Sequence, residues 1–308
     1  MRKYLRAFWR IIRLPYVALR WLVRAMAHGI RNTIHDIYEF FTFEEEDTPL
    51  GDAIASAVAN PLGLMDHLVA FRKHLIRAAV AMVITTAISF LFVKQTMNFL
   101  AKPLPGNLKA LVSIGMTESI SAVMWVGLLL GFAMAFPYIV LEIWMFVAPG
   151  LSRRTRIWGL AAIPIALAFL LGGMAFVFYF MLPVALPFLV TFMGLKTQPR
   201  TGDYFHFIVS LMFWIGLAFE LPLVVFIMAK IGLVRASTLA KQWRIAVVVI
   251  AVIAAVVTPT VDPVNMSIVM APLIVLYFLS IILAYIARRD RSPDEVTMGD
   301  QLRKRFLG

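Results

Sequence analysis

Six long apolar runs constrain this chain more than any other feature of its sequence. Runs approaching or exceeding about 18 apolar residues are long enough to cross a bilayer as α-helices. Only 15% of the residues are charged and the mean hydropathy is +0.86, whereas soluble domains carry about 25% charged residues. The sequence therefore predicts an all-α membrane protein with six transmembrane helices. The predicted spans are 75–93, 117–147, 157–182, 205–229, 244–258 and 266–287.

The basic residues predict how these spans are oriented. If each run crosses the membrane once, 24 of the 29 Lys and Arg residues lie on the side of the N-terminus. The other five are Lys94, Lys102, Lys109, Lys196 and Arg200. Because Lys and Arg are enriched in cytoplasmic loops, both termini are predicted to be cytoplasmic. The fifth run is short, and it should either thin the bilayer or lean on neighbouring helices.

Composition and motifs argue against several classes of function. The chain contains no cysteine, so it has no disulfide framework, thiolate metal site or thiol nucleophile. It lacks the H-E-x-x-H, G-x-S-x-G and P-loop motifs. The five His, at positions 28, 35, 67, 74 and 206, are scattered and predicted to be solvated or interfacial. We therefore predict no enzymatic activity, no catalytic residue and no metal or cofactor. The net charge of +12 follows the cytoplasmic loops, so no nucleic-acid partner is expected.

The first 60 residues reverse the sign of their charge along their length. In residues 1–40, seven arginines between positions 2 and 31 fall within a stripe of roughly 80° on a helical wheel, away from the aromatic and aliphatic residues. Such a helix should lie on the membrane surface, so residues 1–31 are predicted to bind anionic lipids. A docking surface for a protein partner is the alternative. Residues 41–60 are predicted to be an acidic linker, and residues 290–308 a charged cytoplasmic tail.

Three acidic residues lie at or near membrane depth. Glu220 precedes Lys230 by ten residues, which places it about 15 Å from the inner boundary, near mid-membrane. Pro222 follows it and frees a backbone carbonyl. A carboxyl group at this depth is expected to face a cavity or another helix and to mark function. Glu142 lies about 10 Å from the inner end of its helix, and Glu118 opens the second span on the outer side.

Short motifs occur in a characteristic order along residues 61–289. They are MDHLVAFRKHLIR, AKPLPG, TES, FPYIVLEIWMFVAPGLSRRTR, FELP and TPTVDPVNM. Together they resemble TatC, the multispanning subunit of the twin-arginine protein translocase, and FVAPGL and TPTVDP are the more specific pieces. Residues 61–289 are therefore predicted to be a six-span TatC-like core. Pro103, Glu118 and Asp262 match its outer-side motifs.

The resemblance implies a receptor in the bacterial cytoplasmic membrane. TatC-like proteins bind the twin-arginine signal peptides of folded cargo at their cytoplasmic face. With TatA and TatB, which are single-span subunits, they form a translocation complex driven by the proton-motive force. Their helices form a concave wall, and a midplane glutamate pairs with polar groups on a partner helix. Glu220 matches that position, and we also expect a homo-oligomer.

Two positions depart from the family pattern. The inner-face glutamates to which recognition of the arginine pair is ascribed align with Ala70 and Thr155. Neither side chain can form the bidentate pair between a guanidinium and a carboxylate. The signal-binding carboxylates therefore cannot be transferred from the family to this chain.

Three replacements for the missing glutamates can be considered. Asp66 lies one turn before Ala70 on the same helical face, Glu142 could reach towards the inner surface, and the acidic run 44–47 could fold back. We favour Asp66 and Glu142. Arg72 matches the motif arginine and is expected to anchor the helix at the inner interface; Asp66, Arg72 and Glu142 are the signal-peptide candidates.

Other functions remain open at this point. A divergent TatC paralogue could assemble with partners without reading the arginine pair. A secondary transporter would predict inverted repeats with broken helices in matching positions. Pro137, Pro164, Pro222 and Pro272 do interrupt spans, but no internal repeat accompanies them. An intramembrane hydrolase would need a pair of nucleophile and base, which the motifs do not supply.

Overall fold

The computed structural model describes residues 61–104, 107–148, 153–190, 199–257 and 263–289. Within these ranges the chain is helical apart from short connections and one isolated bridge between Val112 and Arg200. The α-helices are α1 (Pro61–Ser89), α2 (Val93–Leu100), α3 (Glu118–Val147), α4 (Arg153–Phe176), α5 (Leu182–Val190), α6 (Thr201–Phe219), α7 (Leu221–Lys230), α8 (Ala236–Lys241), α9 (Trp243–Val257) and α10 (Pro263–Arg289). The predicted surface helix 1–40, linker 41–60, tail 290–308 and Asp262 lie outside the described residues.

Four helical stretches of the described chain are long and apolar enough to cross a membrane. They are Glu118–Val147, Gly159–Leu189, Thr201–Lys230 and Met266–Ala287. The pair Leu68–Ser89 and Val93–Leu100, which bends by 78°, supplies a fifth candidate. Helix α9 is apolar but has 15 residues, so it extends about 22 Å, less than the hydrocarbon core of about 30 Å. The all-α class is confirmed, whereas the six-span count and the orientation of the termini stay predictions.

The helix of the predicted third span continues to Leu189, beyond the predicted end at residue 182. The π-helical segment Val177–Met181 joins α4 to α5, and Pro183 is the second residue after it. Proline lacks a backbone N–H and cannot continue the regular hydrogen-bond ladder. A π turn lets the helix continue past such a defect, so the apolar stretch stays helical.

Proline also explains why one apolar stretch is divided into α6 and α7. Glu220 ends α6, and Pro222 lies in the first turn of α7, where a missing N–H does no harm. The Glu220 N–H donates to the Leu217 carbonyl at 3.1 Å, and the Glu220 carbonyl accepts from Val224 at 2.9 Å. The chain therefore stays helical through the break, with the carboxylate at the junction.

Small and hydroxyl-bearing residues bring α1 against α3. Thr85 Oγ1 donates to the Gly131 carbonyl at 2.8 Å, and Ser89 Oγ donates to the Gly127 carbonyl at 2.6 Å. A side chain at Gly127 would meet the Phe90 ring. Small residues and hydroxyl groups are the usual means by which membrane helices approach closely. The α1–α3 pair is thus held by direct side-chain contact with the backbone.

The outer end of α6 is anchored to the connections around it. Val112 donates its N–H to the Pro199 carbonyl at 3.2 Å, and Thr201 donates to the Val112 carbonyl at 3.1 Å. The buried Tyr204 hydroxyl donates to the Leu100 carbonyl at 2.9 Å. Since α6 also packs against α3 and α4, these contacts fix the position of Glu220 along the axis of the helix.

Candidate functional site

Glu220 is a buried carboxyl group with an unused hydrogen-bonding atom. Its side chain is 9% exposed, and its Oε1 atom is buried without a hydrogen-bond partner. The backbone of Leu170 on α4 lies within hydrogen-bonding reach of the carboxyl group. An unpaired buried oxygen is unfavourable, so this group has the capacity to accept a donor from outside the described chain.

The surroundings of Glu220 are apolar and closely packed. Phe136, Ala166 and Leu170 form a buried cluster on α3 and α4, against which Leu217 packs. Gly216 lies one turn before Glu220 on α6 and faces Gly173 of α4. A Cβ added to Gly173 would lie 2.9 Å from the Gly216 Cα atom. The two glycines therefore permit α4 and α6 to approach closely. The side chains of this cluster are apolar.

An open pocket lies along α6. It has a volume of about 510 Å³ and is lined by α1, α3, α6 and α9, including Trp125, His206, Phe213 and Trp214. His206 and Phe213 precede Glu220 by fourteen and seven residues, so the three residues follow one stripe of the helix. The pocket lining does not itself include Glu220, whose backbone contact is with Leu170 on α4.

Glu142, the second acidic candidate, is paired inside the chain. Its Oε2 atom lies 2.6 Å from Nδ1 of His74 on α1, and the two side chains are 1% and 14% exposed. The Phe146 ring packs edge-on against both His74 and Phe71. Glu142 therefore keeps its carboxylate inside the helix packing and does not present it at a surface. His74 was predicted to be solvated or interfacial, but it is largely buried because this carboxylate accepts its hydrogen bond.

The remaining inner-face candidates lie on α1. Arg72 is exposed and Ala70 is partly buried. Asp66 lies within α1, but its side chain is outside the described residues, as is the side chain of Thr155 in the first turn of α4. The structure thus places Asp66, Ala70 and Arg72 within two turns of α1. His74, which contacts Glu142 of α3, follows Ala70 by about one turn.

The outer-side candidates do not join this site. Glu118 Oε2 accepts a hydrogen bond from the Ile114 N–H at 3.2 Å, so it closes the turn that begins α3. Pro103 lies in the turns after α2. Glu118 and Glu142 are separated by 24 residues of one helix, or about 36 Å. The outer motif residues therefore shape the connections at the opposite end of the helices.

Comparison with known proteins identifies the family to which this arrangement belongs. Residues 66–272 match the family model described as TatC, Sec-independent protein translocase protein. The chain belongs to the TatC family. The TatC protein of Carboxydothermus hydrogenoformans is 34% identical over 226 residues, which are 73% of this chain and 93% of that protein. The TatC of Deinococcus radiodurans is 34% identical over 253 residues, 79% of this chain and 92% of the relative.

A solved TatC structure shares the fold. The crystal structure described as the twin-arginine translocase receptor TatC matches with a TM-score of 0.64 and 29% identity. It covers 72% of this chain and all of the solved chain. The family resemblance inferred from the motifs is confirmed over residues 66–272, and with it a membrane-embedded protein of a translocase family.

Sequence reasoning did not predict the pairing of His74 with Glu142 in this TatC-family chain. The two residues are 68 positions apart, and each had a satisfactory separate explanation. A signal was nevertheless present, because both lie near the inner ends of consecutive antiparallel helices. A titratable side chain at the same depth on each of two adjacent helices is a reason to test for a pair.

Proposed function

We propose that this chain is the receptor core of a twin-arginine export system in a bacterial cytoplasmic membrane. It binds twin-arginine signal peptides at its cytoplasmic face and assembles with TatA- and TatB-type single-span subunits and with further copies of itself. The complex moves folded proteins by using the proton-motive force. Family membership and the fold shared with a twin-arginine translocase receptor support this proposal. The chain acts by binding, without catalysis or a cofactor.

The proposal includes six spans with both termini in the cytoplasm. The bent pair α1–α2, the four long stretches and α9 supply six apolar helical segments in the described chain. The distribution of Lys and Arg supports this orientation. In it, the inner ends of α1 and α3 meet at the cytoplasmic side, and residues 1–31 lie on anionic lipid there.

The observation that carries the proposal is the unpaired oxygen of Glu220. It is buried at the junction of α6 and α7, and no hydrogen-bond partner in the described chain satisfies it. A single-span partner helix with one polar side chain at mid-membrane would supply the donor. The pocket beside Phe213 and Trp214 gives that helix an apolar surface to lie against.

Signal-peptide contact is assigned to the inner end of α1. Asp66 supplies the carboxylate for a guanidinium, because charge-assisted pairs of this kind are the strong ones. The exposed side chain of Arg72 lies at the same end, where lipid phosphates and the peptide meet. Glu142 contributes to signal-peptide contact indirectly, because it holds His74 of α1 in place through their hydrogen bond.

Site-specific photocrosslinking in membranes tests this proposal. Photoreactive probes at Asp66, Ala70 and Glu45 are exposed to a twin-arginine signal peptide and, as a control, to its twin-lysine variant. A probe at Met116, which is 96% exposed on the outer side, is the matched negative control. We expect arginine-dependent crosslinks from Asp66 or Ala70 and none from Met116.

A different outcome would favour the second candidate function. Because Ala70 and Thr155 replace two carboxylates, a paralogue that assembles without reading the arginine pair remains a specific competitor. It predicts equal crosslinking by both peptides, or none, while TatA-type subunits still co-purify. That result would reject the receptor function and retain the assembly function.

A further inference from the structure

Three polar contacts tie α1 to α3 in a regular antiparallel register. The first joins Ser89 to Gly127, the second joins Thr85 to Gly131, and the third joins His74 to Glu142. Each step along α1 is matched by an equal step along α3, first of four residues and then of eleven. Eleven residues are about three helical turns, so all three contacts lie on one face of each helix.

The innermost contact differs chemically from the other two. Ser89 and Thr85 donate to backbone carbonyls, and every residue of α3 carries such a carbonyl. A helix that slipped along α3 would therefore meet new acceptors, and in the outer half it is the close approach of Gly127 to Phe90 and of Gly131 to Thr86 that opposes such a slip. The pair of His74 and Glu142 joins two side chains, so it can form in one register only. Setting register is the best-attested role of a buried polar pair.

Apolar side chains cover much of the outward surface of α1 near its inner end. Leu68, Val69, Leu75 and Ile76 are each more than half exposed, so most of this segment faces its surroundings. The contact of Phe71 with Phe146 is apolar and would tolerate sliding. The Glu142 carboxylate has His74 as its hydrogen-bond partner, and its Oε1 atom is buried with none.

We propose that His74 and Glu142 are positioning residues that fix the height and rotation of the inner end of α1 on α3. This inference deepens the proposed function and rests on it, because the segment so held carries Asp66, Ala70 and Arg72. A slip of one turn moves these residues by about 5.4 Å, and a one-residue rotation turns them by about 100°. Recognition of a guanidinium pair does not survive such a displacement.

Disulfide trapping measures the register directly, since the chain has no native cysteine. Cysteines replacing Phe71 and Phe146 report the native register, because these two side chains contact each other in it, and the yield of each trapped pair depends on the distance between its Cβ atoms. Cysteines replacing Leu75 and Phe146 report a slip of one turn. Each pair is introduced into the full chain and oxidised in membranes. The native pair should dominate when His74 and Glu142 are intact.

The pair is then broken and restored. His74→Ala or Glu142→Ala should raise trapping of the slipped pair to the level of the native pair. The same variants should weaken twin-arginine peptide binding at least tenfold, towards the level of a twin-lysine peptide. The exchange of His74→Glu with Glu142→His should restore both readouts, which a purely structural loss would not allow. Thr85→Val, which removes a hydroxyl in the outer half, should leave the inner register native.

Glu142→Gln is the control for correct folding. It keeps a hydrogen-bond acceptor and should keep the native trapping pattern. If His74→Ala inserts poorly into the membrane, His74→Val is used in its place, because it removes the hydrogen bond and keeps more of the side-chain volume of histidine. The native trapping pattern in every broken variant would overturn the inference. If the register shifts but the intact chain binds both peptides equally, then the proposed receptor function fails and register control is retained.

Discussion

Replacing Glu220 with leucine should affect the isolated chain and its complex in opposite directions. In the chain alone, the carboxyl group has an oxygen that is buried without a partner, a situation that costs about 1–3 kcal/mol. Leucine has a similar size and suits the apolar cluster around Leu170. The Glu220→Leu variant should therefore be as stable as the parent chain, or more stable by about 1 kcal/mol.

The complex should be weakened by the same change. Hydrogen bonds between membrane helices contribute about 0.6 kcal/mol on average and about 1.7 kcal/mol at most. Losing one such bond lowers partner affinity by roughly three- to twentyfold. Glu220→Gln keeps a hydrogen-bonding side chain of the same shape and is the matched control, with an expected loss below about threefold. Glu220→Ala, which also leaves a gap, should stop export while the chain still inserts.

Two measurements on the same variants separate these effects. Thermal unfolding of the purified chain in detergent gives its own stability, and binding of TatA- or TatB-type subunits in nanodiscs gives the partner affinity. The reasoning is refuted if Glu220→Leu lowers the unfolding temperature and leaves partner affinity unchanged. That pattern would show that the carboxylate works within its own chain.

Three further predictions follow from the packing and the sequence. Gly173→Leu should separate α4 from α6, because the added Cβ meets Gly216, and should lower the stability by about 1–3 kcal/mol in thermal unfolding. Gly172→Leu is the control for this change, since nothing lies within 4 Å of the added Cβ, and it should be tolerated. Tyr204→Phe removes the hydrogen bond to Leu100 and should cost about 1 kcal/mol by thermal unfolding. Deleting residues 2–31 should weaken binding to anionic liposomes in a flotation assay, and unchanged binding would contradict the surface-helix prediction.

The features that the sequence predicted well are those that depend on neighbouring residues. Apolar runs gave the ends of α9 and of the stretch Met266–Ala287 to within one residue, because hydropathy changes abruptly where charged or turn residues begin. Pro222 indicated a discontinuity beside Glu220, since proline disrupts the hydrogen-bond ladder locally.

The features that the sequence did not predict depend on which helices become neighbours. Nothing near Glu142 indicates that His74 will reach it, because the contact exists only once α1 packs against α3 in a particular register. The bend of 78° between α1 and α2 is similar, since residues 90–92 are apolar and carry no proline or glycine. The π turn before Pro183 also had no counterpart in a regular helical pattern.

The two buried carboxylates make a functional argument because their environments differ in one respect. Both lie on helices at membrane depth, where an ionisable group is expensive and therefore informative. Glu142 finds its partner in His74 on an adjacent helix of the same chain, so its role can be completed internally. Glu220 lies where α6 is interrupted, beside apolar side chains. Within the described chain each carboxylate keeps one buried oxygen without a hydrogen-bond partner, but Glu142 has a side-chain partner, whereas Glu220 has a backbone contact with Leu170. Glu220 is therefore the carboxylate with the greater capacity to accept a donor from a second molecule.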